Sequence, residues 1–284
     1  MTDATLPRLQ PRAVSSASAS FPNPRGDDRV DSAGKTRSND TAGPPRPGSV
    51  LYFTYLDEGD GSTAYKLRND AWASFWFGYR YVQDGHDQYV GFTYATRQRF
   101  GEEADSYDPG PGDRVYVGQA TFRRTAPGSA KPWLFVGNNE YLGETGSFER
   151  ADQPVADARI LVHVTASGDR LIAVPMHGYQ AGVDIHTAKL FLRDAKSGDW
   201  ALVGDVFTGS DTGDLADGSD DGIPAASSRG SISFVDRGAA PPDVHVQYSG
   251  TALAGSGQAR TLGAEDGRVY VFDVDKKRYI PKKG

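Results

Sequence analysis

The stretch Asp243-Val-His-Val-Gln-Tyr-Ser249 decides the fold class of this chain, because apolar and polar side chains alternate through it without interruption. Val244, Val246 and Tyr248 fall on one face of an extended chain, and the polar residues between them fall on the other. A period of two residues is typical of a β-strand with one buried face. The stretch therefore predicts a strand of an antiparallel sheet that packs one face on a core and turns the other to water.

Short runs of β-branched and aromatic residues fill the chain from residue 50 onward, and Gly, Asp, Pro and Ser separate them. This composition is typical of strands joined by tight turns. The predicted strands are Val50–Leu56, Trp72–Val82, Gln88–Tyr94, Arg114–Arg123, Trp133–Gly137, Arg159–Ala166, Arg170–Met176, Lys189–Arg193, Trp200–Phe207, Ser231–Val235, Val244–Tyr248 and Arg268–Phe272. No stretch keeps helical periodicity for three turns, and Asp152–Ala158 is the best short helix candidate. We therefore predict an all-β fold of antiparallel hairpins, arranged as a sandwich or a degenerate propeller.

The first 48 residues differ from the rest in composition. They carry seven of the 17 prolines and a single aromatic residue, Phe21, so they offer little apolar area to offset the entropy of ordering. We predict a disordered leader or tether over residues 1–48 and an all-β domain over residues 49–284. That domain could divide into two subdomains that meet near residues 150–158.

The overall composition excludes several classes of protein. The chain has no cysteine, which excludes disulfides and thiolate metal sites. Its formal net charge of −6 argues against a nucleic-acid partner. No run approaches the roughly 18 apolar residues of a membrane span, and no apolar signal-peptide core follows Met1. The densest basic run, Lys276-Lys277-Arg278, interrupts a strand pattern and predicts a solvated turn.

The aromatic segment from Trp72 to Val82 is the densest apolar stretch. As a regular strand it would carry Trp72, Trp76 and Arg80 on one face and the remaining aromatic side chains on the other. One face has to be core, and the second suits another buried face, a sugar-stacking platform or a protein-binding hot spot. We therefore take Trp72, Trp76 and Arg80 as the candidate binding patch, with a strand covered on both sides as the alternative.

The motif Asp217-x-Ser219-x-Asp221-Gly222 has the alternate oxygen spacing of a calcium loop. A tight turn brings such side chains onto one cation, and glycine at the sixth position permits the bend. Ser228 stands at the twelfth position, where a bidentate Glu is usual. The alternative is a solvated acidic loop. The predicted calcium ligands are Asp217, Ser219, Asp221, the Ile223 carbonyl and Asp214.

Other chemistry receives weaker support from the residues. His177 and His186 flank a glycine-rich connection that contains Asp184, but a zinc site there would need two further ligands. Asp57 and Glu58 could form a carboxylate pair for glycoside cleavage, although sequence spacing does not give the separation that such chemistry requires. The chain contains neither a G-x-S-x-G turn nor a phosphate-binding glycine loop. We therefore expect a protein without enzymatic activity.

The calcium-type loop, together with the three segments that follow it, resembles a known family. The segments are Gly230–Phe234, Asp243–Thr251 and the closing strand Val269–Asp273 with Arg278-Tyr279. They resemble the periplasmic immunity proteins of bacterial-killing secretion systems, specifically a calcium-binding, propeller-like group that inhibits peptidoglycan hydrolases. The resemblance covers roughly residues 158–280. It implies calcium bound by the loop and a periplasmic or extracellular location, but no motif carries over the inhibitory residues.

The leading prediction is an exported binding protein that blocks a cell-wall hydrolase or toxin and holds calcium in its acidic loop. The partner would be a protein. The first alternative is a secreted carbohydrate-binding, lectin-like domain that stacks a glycan on Trp72, Trp76 or Trp133. The second is a β-fold glycoside hydrolase.

Overall fold

Three antiparallel sheets, formed one after another along the chain, make up most of the molecule. The computed structural model describes residues 43–97, 108–213, 224–255 and 257–282. The first sheet contains, in spatial order, β1 (Ala64–Lys66), β2 (Trp72–Gln83), β3 (His86–Thr96), β4 (Val115–Arg124) and β5 (Trp133–Thr145). The second contains β6 (Gln153–Pro154), β7 (Leu161–Val164), β8 (Arg170–Gln180), β9 (Val183–Arg193) and β10 (Trp200–Asp211), ordered β10-β9-β8-β6 with β7 also beside β8. The third contains β11 (Ser228–Arg237), β12 (Ala240–Leu253), β13 (Ala259–Thr261), β14 (Arg268–Asp273) and β15 (Arg278–Pro281), ordered β11-β12-β14-β15 with β13 beside β12.

Tight turns explain why neighbouring strands pair antiparallel. Asp84 and Gly85 join β2 to β3, and both have positive φ values, 51° and 74°. Ala181 and Gly182 join β8 to β9 in the same way, with φ values of 50° and 83°. Two-residue turns of this kind match the right-handed twist of the strands they connect. The predicted antiparallel all-β fold is confirmed, and the sheets pack face to face in a sandwich-like arrangement.

The second sheet lies between the other two, and each of its faces belongs to a different core. Ile172, Val174 and Phe191 pack against the aromatic face of the first sheet. The alternate residues Leu171 and Leu190 pack against the third sheet, where they meet the buried apolar side chains of β12. Because both faces are covered, β8 has a nearly continuous apolar sequence rather than an alternating one.

A short helix covers the outer face of the first sheet, where the sequence predicted a strand over Val50–Leu56. Helix α1 (Pro47–Tyr55) begins with proline in its first turn and ends at Leu56 in the left-handed conformation. Val50 is fully buried against the first sheet. Burial therefore outweighs the strand preference of these β-branched and aromatic residues. Helix α1 begins at Pro47, two residues before the predicted start of the all-β domain at residue 49. No helix of the described residues is long and apolar enough to cross a membrane.

The chain passes from the first sheet to the second between Thr145 and Gln153, which overlaps the start of the predicted subdomain boundary at residues 150–158. Asp152–Ala158 is not a helix; it contains the short strand β6 and a turn. The indole nitrogen of Trp76 donates a hydrogen bond of 2.8 Å to the carbonyl of Asp152. The first two sheets thus share both a core and a hydrogen-bonded crossing.

Candidate functional site

A cleft opens where the last strands of the three sheets come together. Strands β5, β10 and β15 each stand at the end of their sheet, and β10 contacts both of the others. The cleft has a volume of about 510 Å³, within the usual range of ligand pockets. We call it the three-edge cleft; its lining residues are Arg114, Tyr141, Gly143, Glu144, Thr145, Lys189, Leu202, Val203, Gly204, Asp205, Lys276, Lys277 and Arg278.

Lys189 forms the buried floor of the three-edge cleft. Its side chain is only 1% exposed, because it extends from the middle of β9 into the layer between the first two sheets. Its ammonium group lies 2.7 Å from Asp152 Oδ2 and also pairs with the carboxylate of Asp205 on the neighbouring strand. A buried ammonium needs such partners, since an unpaired charge there would be strongly destabilising.

The walls of the three-edge cleft are basic. Its lining contains five cationic and two anionic side chains, although the whole chain has a net charge of −6. Lys276 pairs with Asp273 at 3.4 Å. Lys277 and Arg278 are exposed and have no ion-pair partner within the described ranges. Two uncompensated cations at the mouth of a concave site attract anionic groups.

Tyrosine side chains border the basic wall. Tyr141 is 55% exposed, and its ring lies 6.0 Å from that of Tyr116. The Tyr141 hydroxyl donates to Glu144 Oε1 over 3.2 Å. Partial desolvation, followed by the Glu144 charge, raises the pKa of Tyr141 above its ordinary value. Tyrosine beside arginine is the composition enriched in protein-binding hot spots.

The predicted binding patch does not exist as one surface, because β2 contains a bulge. Its register with β3 shifts between Phe75 and Phe77, so Trp76 is the extra residue and points to the same face as Phe77. Trp76 is 4% exposed and lies in the core between the first two sheets. The prediction that Trp76 belongs to an exposed patch is wrong. A β-bulge reverses the alternation on one side of itself, and a period-two pattern does not reveal it.

The other two residues of that patch lie apart from Trp76. Trp72 begins β2 and is partly buried. The guanidinium of Arg80 lies 5.9 Å from the centre of the Trp133 ring on the opposite face of the sheet, and Arg124 lies 5.3 Å from that ring. Trp133 is therefore covered by two cations, and its indole nitrogen donates to the Gly43 carbonyl over 2.7 Å.

The predicted calcium ligands Asp214, Asp217, Ser219, Asp221 and Ile223 all lie outside the described residues. The strands on either side are described: Asp211 ends β10, and the isolated pair Asp211–Ser227 precedes β11. Calcium therefore stays a prediction.

The histidine pair considered for zinc is close in space. His177 and His186 are directly opposite on β8 and β9, and Asp184 lies 4.0 Å and 3.7 Å from their ring nitrogens. Burial, followed by the charge of Arg229, lowers the pKa of His186, while Asp184 opposes the shift. Within the described ranges, no three His, Asp or Glu side chains are placed to hold a metal ion.

The candidate glycosidase carboxylate Asp57 has a structural contact. Its Oδ2 accepts a 2.7 Å hydrogen bond from the Arg68 backbone, and its Oδ1 lies 3.2 Å from Arg68 Nε. It thereby closes the loop that contains β1.

Sequence reasoning missed the three-edge cleft. It predicted the turn at Lys276-Lys277 correctly, but nothing in the local pattern shows that the turn faces β5 and β10. The one available signal was Lys189, a charged residue inside an apolar strand, which implies a buried partner. Comparisons with protein-family models, curated proteins and solved structures gave no match.

Proposed function

We propose that this chain is a non-enzymatic binding protein that docks an acidic partner protein at the three-edge cleft. The observation that carries the proposal is the concentration of unpaired basic side chains in a concave site of an otherwise acidic chain. Charge complementarity of this kind raises association rates and selects the partner.

The scaffold suits recognition by a preformed surface. Each wall of the three-edge cleft belongs to the edge of a different packed sheet, and the Lys189 ion pairs fix its floor. A preformed site loses little conformational entropy when a partner binds. Tyr141 and Arg278 would supply the larger contacts, with Lys277 as a rim charge.

The resemblance of the sequence to immunity proteins supports a partner of one class, a cell-wall hydrolase or another toxin. Binding over the catalytic cleft of such an enzyme would exclude its substrate. The same resemblance supports a periplasmic or extracellular location and calcium in the loop around Asp217 and Asp221.

The test is capture of a partner from the source lysate with calcium present, with three baits compared side by side. The baits are the unaltered chain, the charge-reversed K277E/R278E double variant and a K131E/K196E control, which makes the same charge change at exposed sites outside the cleft. We expect one stoichiometric protein on the first and third baits only, and inhibition of its hydrolytic activity. Equal capture by all three baits, or an uninhibited partner, contradicts the proposal.

A further inference from the structure

We propose that the three-edge cleft binds an extended acidic peptide segment, whose carboxylates contact Lys277, Arg278 and Arg114. The inference rests on the proposed function in assuming a protein partner, and it adds the chemistry of the segment that enters. It concerns the cleft alone, so it can be tested without the partner.

The placement of the cations favours several separated carboxylates over a single anion. Arg114 precedes β4 in the first sheet, whereas in the third sheet Lys277 lies in the turn between β14 and β15 and Arg278 begins β15. The cleft therefore has basic groups on two different sheets, with the second sheet between them. A single phosphate is bound best by donors that converge on one point, whereas a chain with repeated carboxylates can contact both walls.

The backbone at the three-edge cleft favours a peptide. Tyr141 and Gly143–Thr145 of β5 and Leu202–Asp205 of β10 line the site, and within the described ranges the paired residues of each stretch have one neighbouring strand only. The free side of an edge strand offers N–H and C=O groups to an extended chain. Leu202, which is only partly buried, adds apolar surface for the aliphatic part of a glutamate side chain.

One of the two anionic side chains of the lining is already paired with a cation. Asp205 pairs with Lys189, whereas Glu144 keeps its negative charge, since the Tyr141 hydroxyl that donates to it is neutral. Arg114 donates to the Gly146 carbonyl over 2.6 Å through one of its nitrogens, so its guanidinium keeps other donors.

The experiment titrates the full chain with a fluorescent octaglutamate peptide at low ionic strength. The K277E/R278E variant and the K131E/K196E control are titrated in parallel, after circular dichroism and melting have shown that all three are folded. We expect the K277E/R278E dissociation constant to be at least about tenfold weaker than that of the unaltered chain. The control should stay within about twofold, and added salt should weaken the complex.

Inorganic tripolyphosphate and polygalacturonate serve as the other anion sources. Weaker binding of both than of octaglutamate supports the peptide assignment. Octaglutamate binding that is absent, or unchanged in K277E/R278E, overturns the inference, and so does tighter binding of tripolyphosphate or polygalacturonate. If octaglutamate binds as expected while a captured partner is not inhibited, the proposed function fails and the acidic-peptide site remains.

Discussion

Lys189 Nζ and Asp152 Oδ2 lie 2.7 Å apart, and this ion pair joins the middle of the second sheet to the segment that leaves the first. The Asp152 carbonyl also accepts the hydrogen bond from Trp76. One residue therefore connects the core between two sheets with the floor of the three-edge cleft.

Replacing Lys189 tests the energetic importance of that connection. Lys189→Met keeps the approximate size of the side chain but leaves two carboxylates without their cation. We expect a loss of about 3 kcal/mol in the free energy of unfolding, because breaking a buried pair by removing one partner is strongly destabilising. Urea denaturation of this variant and of Lys196→Met, an exposed control, measures it. A loss no larger than that of the control would mean that the pair does not stabilise the fold.

The burial of Glu149 predicts a specific pH dependence of the protein's stability. Its side chain is 4% exposed; one oxygen accepts from the Arg97 backbone N–H at 3.1 Å, and the other has no hydrogen-bond partner. Burial raises the pKa of Glu149 above its ordinary 4.5, with the Arg97 contacts opposing. A raised folded-state pKa means that the folded protein holds this proton more tightly than the unfolded chain. Its contribution to stability is therefore complete below the ordinary value and is lost as the pH rises through the folded-state pKa.

Glu149→Gln removes this titration while keeping the side-chain shape. The variant should be more stable than the unaltered chain at neutral pH, and its stability should fall less as the pH rises from 4 to 7. Thermal melts across that range, with the exposed Glu58→Gln as control, show the difference. Parallel curves for Glu149→Gln and the unaltered chain would contradict the assignment.

The position of α1 on the first sheet depends on Gly91. A Cβ at Gly91 would lie 2.5 Å from Val50 Cγ1, whereas a Cβ at Gly137 of the same sheet would meet nothing within 4 Å. We expect Gly91→Ala to cost about 1–3 kcal/mol through overpacking and Gly137→Ala to be near neutral. Chemical denaturation of both variants measures the contrast. Equal stabilities would mean that the helix can shift without cost.

Calcium is tested by removing the predicted ligands Asp217 and Asp221. If the loop binds calcium, the melting temperature of the unaltered chain rises with added calcium and falls with chelator, because a ligand that binds only the folded state stabilises it. The D217A/D221A double variant should lose that response, and the exposed control D199A should keep it. A melting temperature that calcium does not change in the unaltered chain would refute the site.

The class of fold followed from the sequence because alternation is a local property. Val244, Val246 and Tyr248 face the core as predicted, and the Asp84-Gly85 turn has the backbone angles that hairpins require. The helix over Pro47–Tyr55 did not follow, because its packing against Gly91 is a contact between residues distant in sequence. The bulge at Trp76 was not predicted either, because a period-two pattern does not reveal an extra residue in one strand.

The candidate site was the least predictable part. Lys277 and Arg278 were visible as a basic turn, but their importance depends on lining residues of β5 and β10 that lie more than 70 residues earlier in the chain. Sequence pattern specifies which face of a strand is buried, and it does not specify which sheet edges meet. Charged clefts formed between sheets therefore become apparent only from the assembled fold.

Amide hydrogen exchange on the chain with and without its captured partner tests the central claim most directly. Docking at the three-edge cleft predicts slower exchange in Tyr141–Thr145, Leu202–Asp205 and the turn that contains Lys276 and Lys277. Protection confined to other surfaces, such as the outer face of the third sheet, with these segments unchanged, would contradict it.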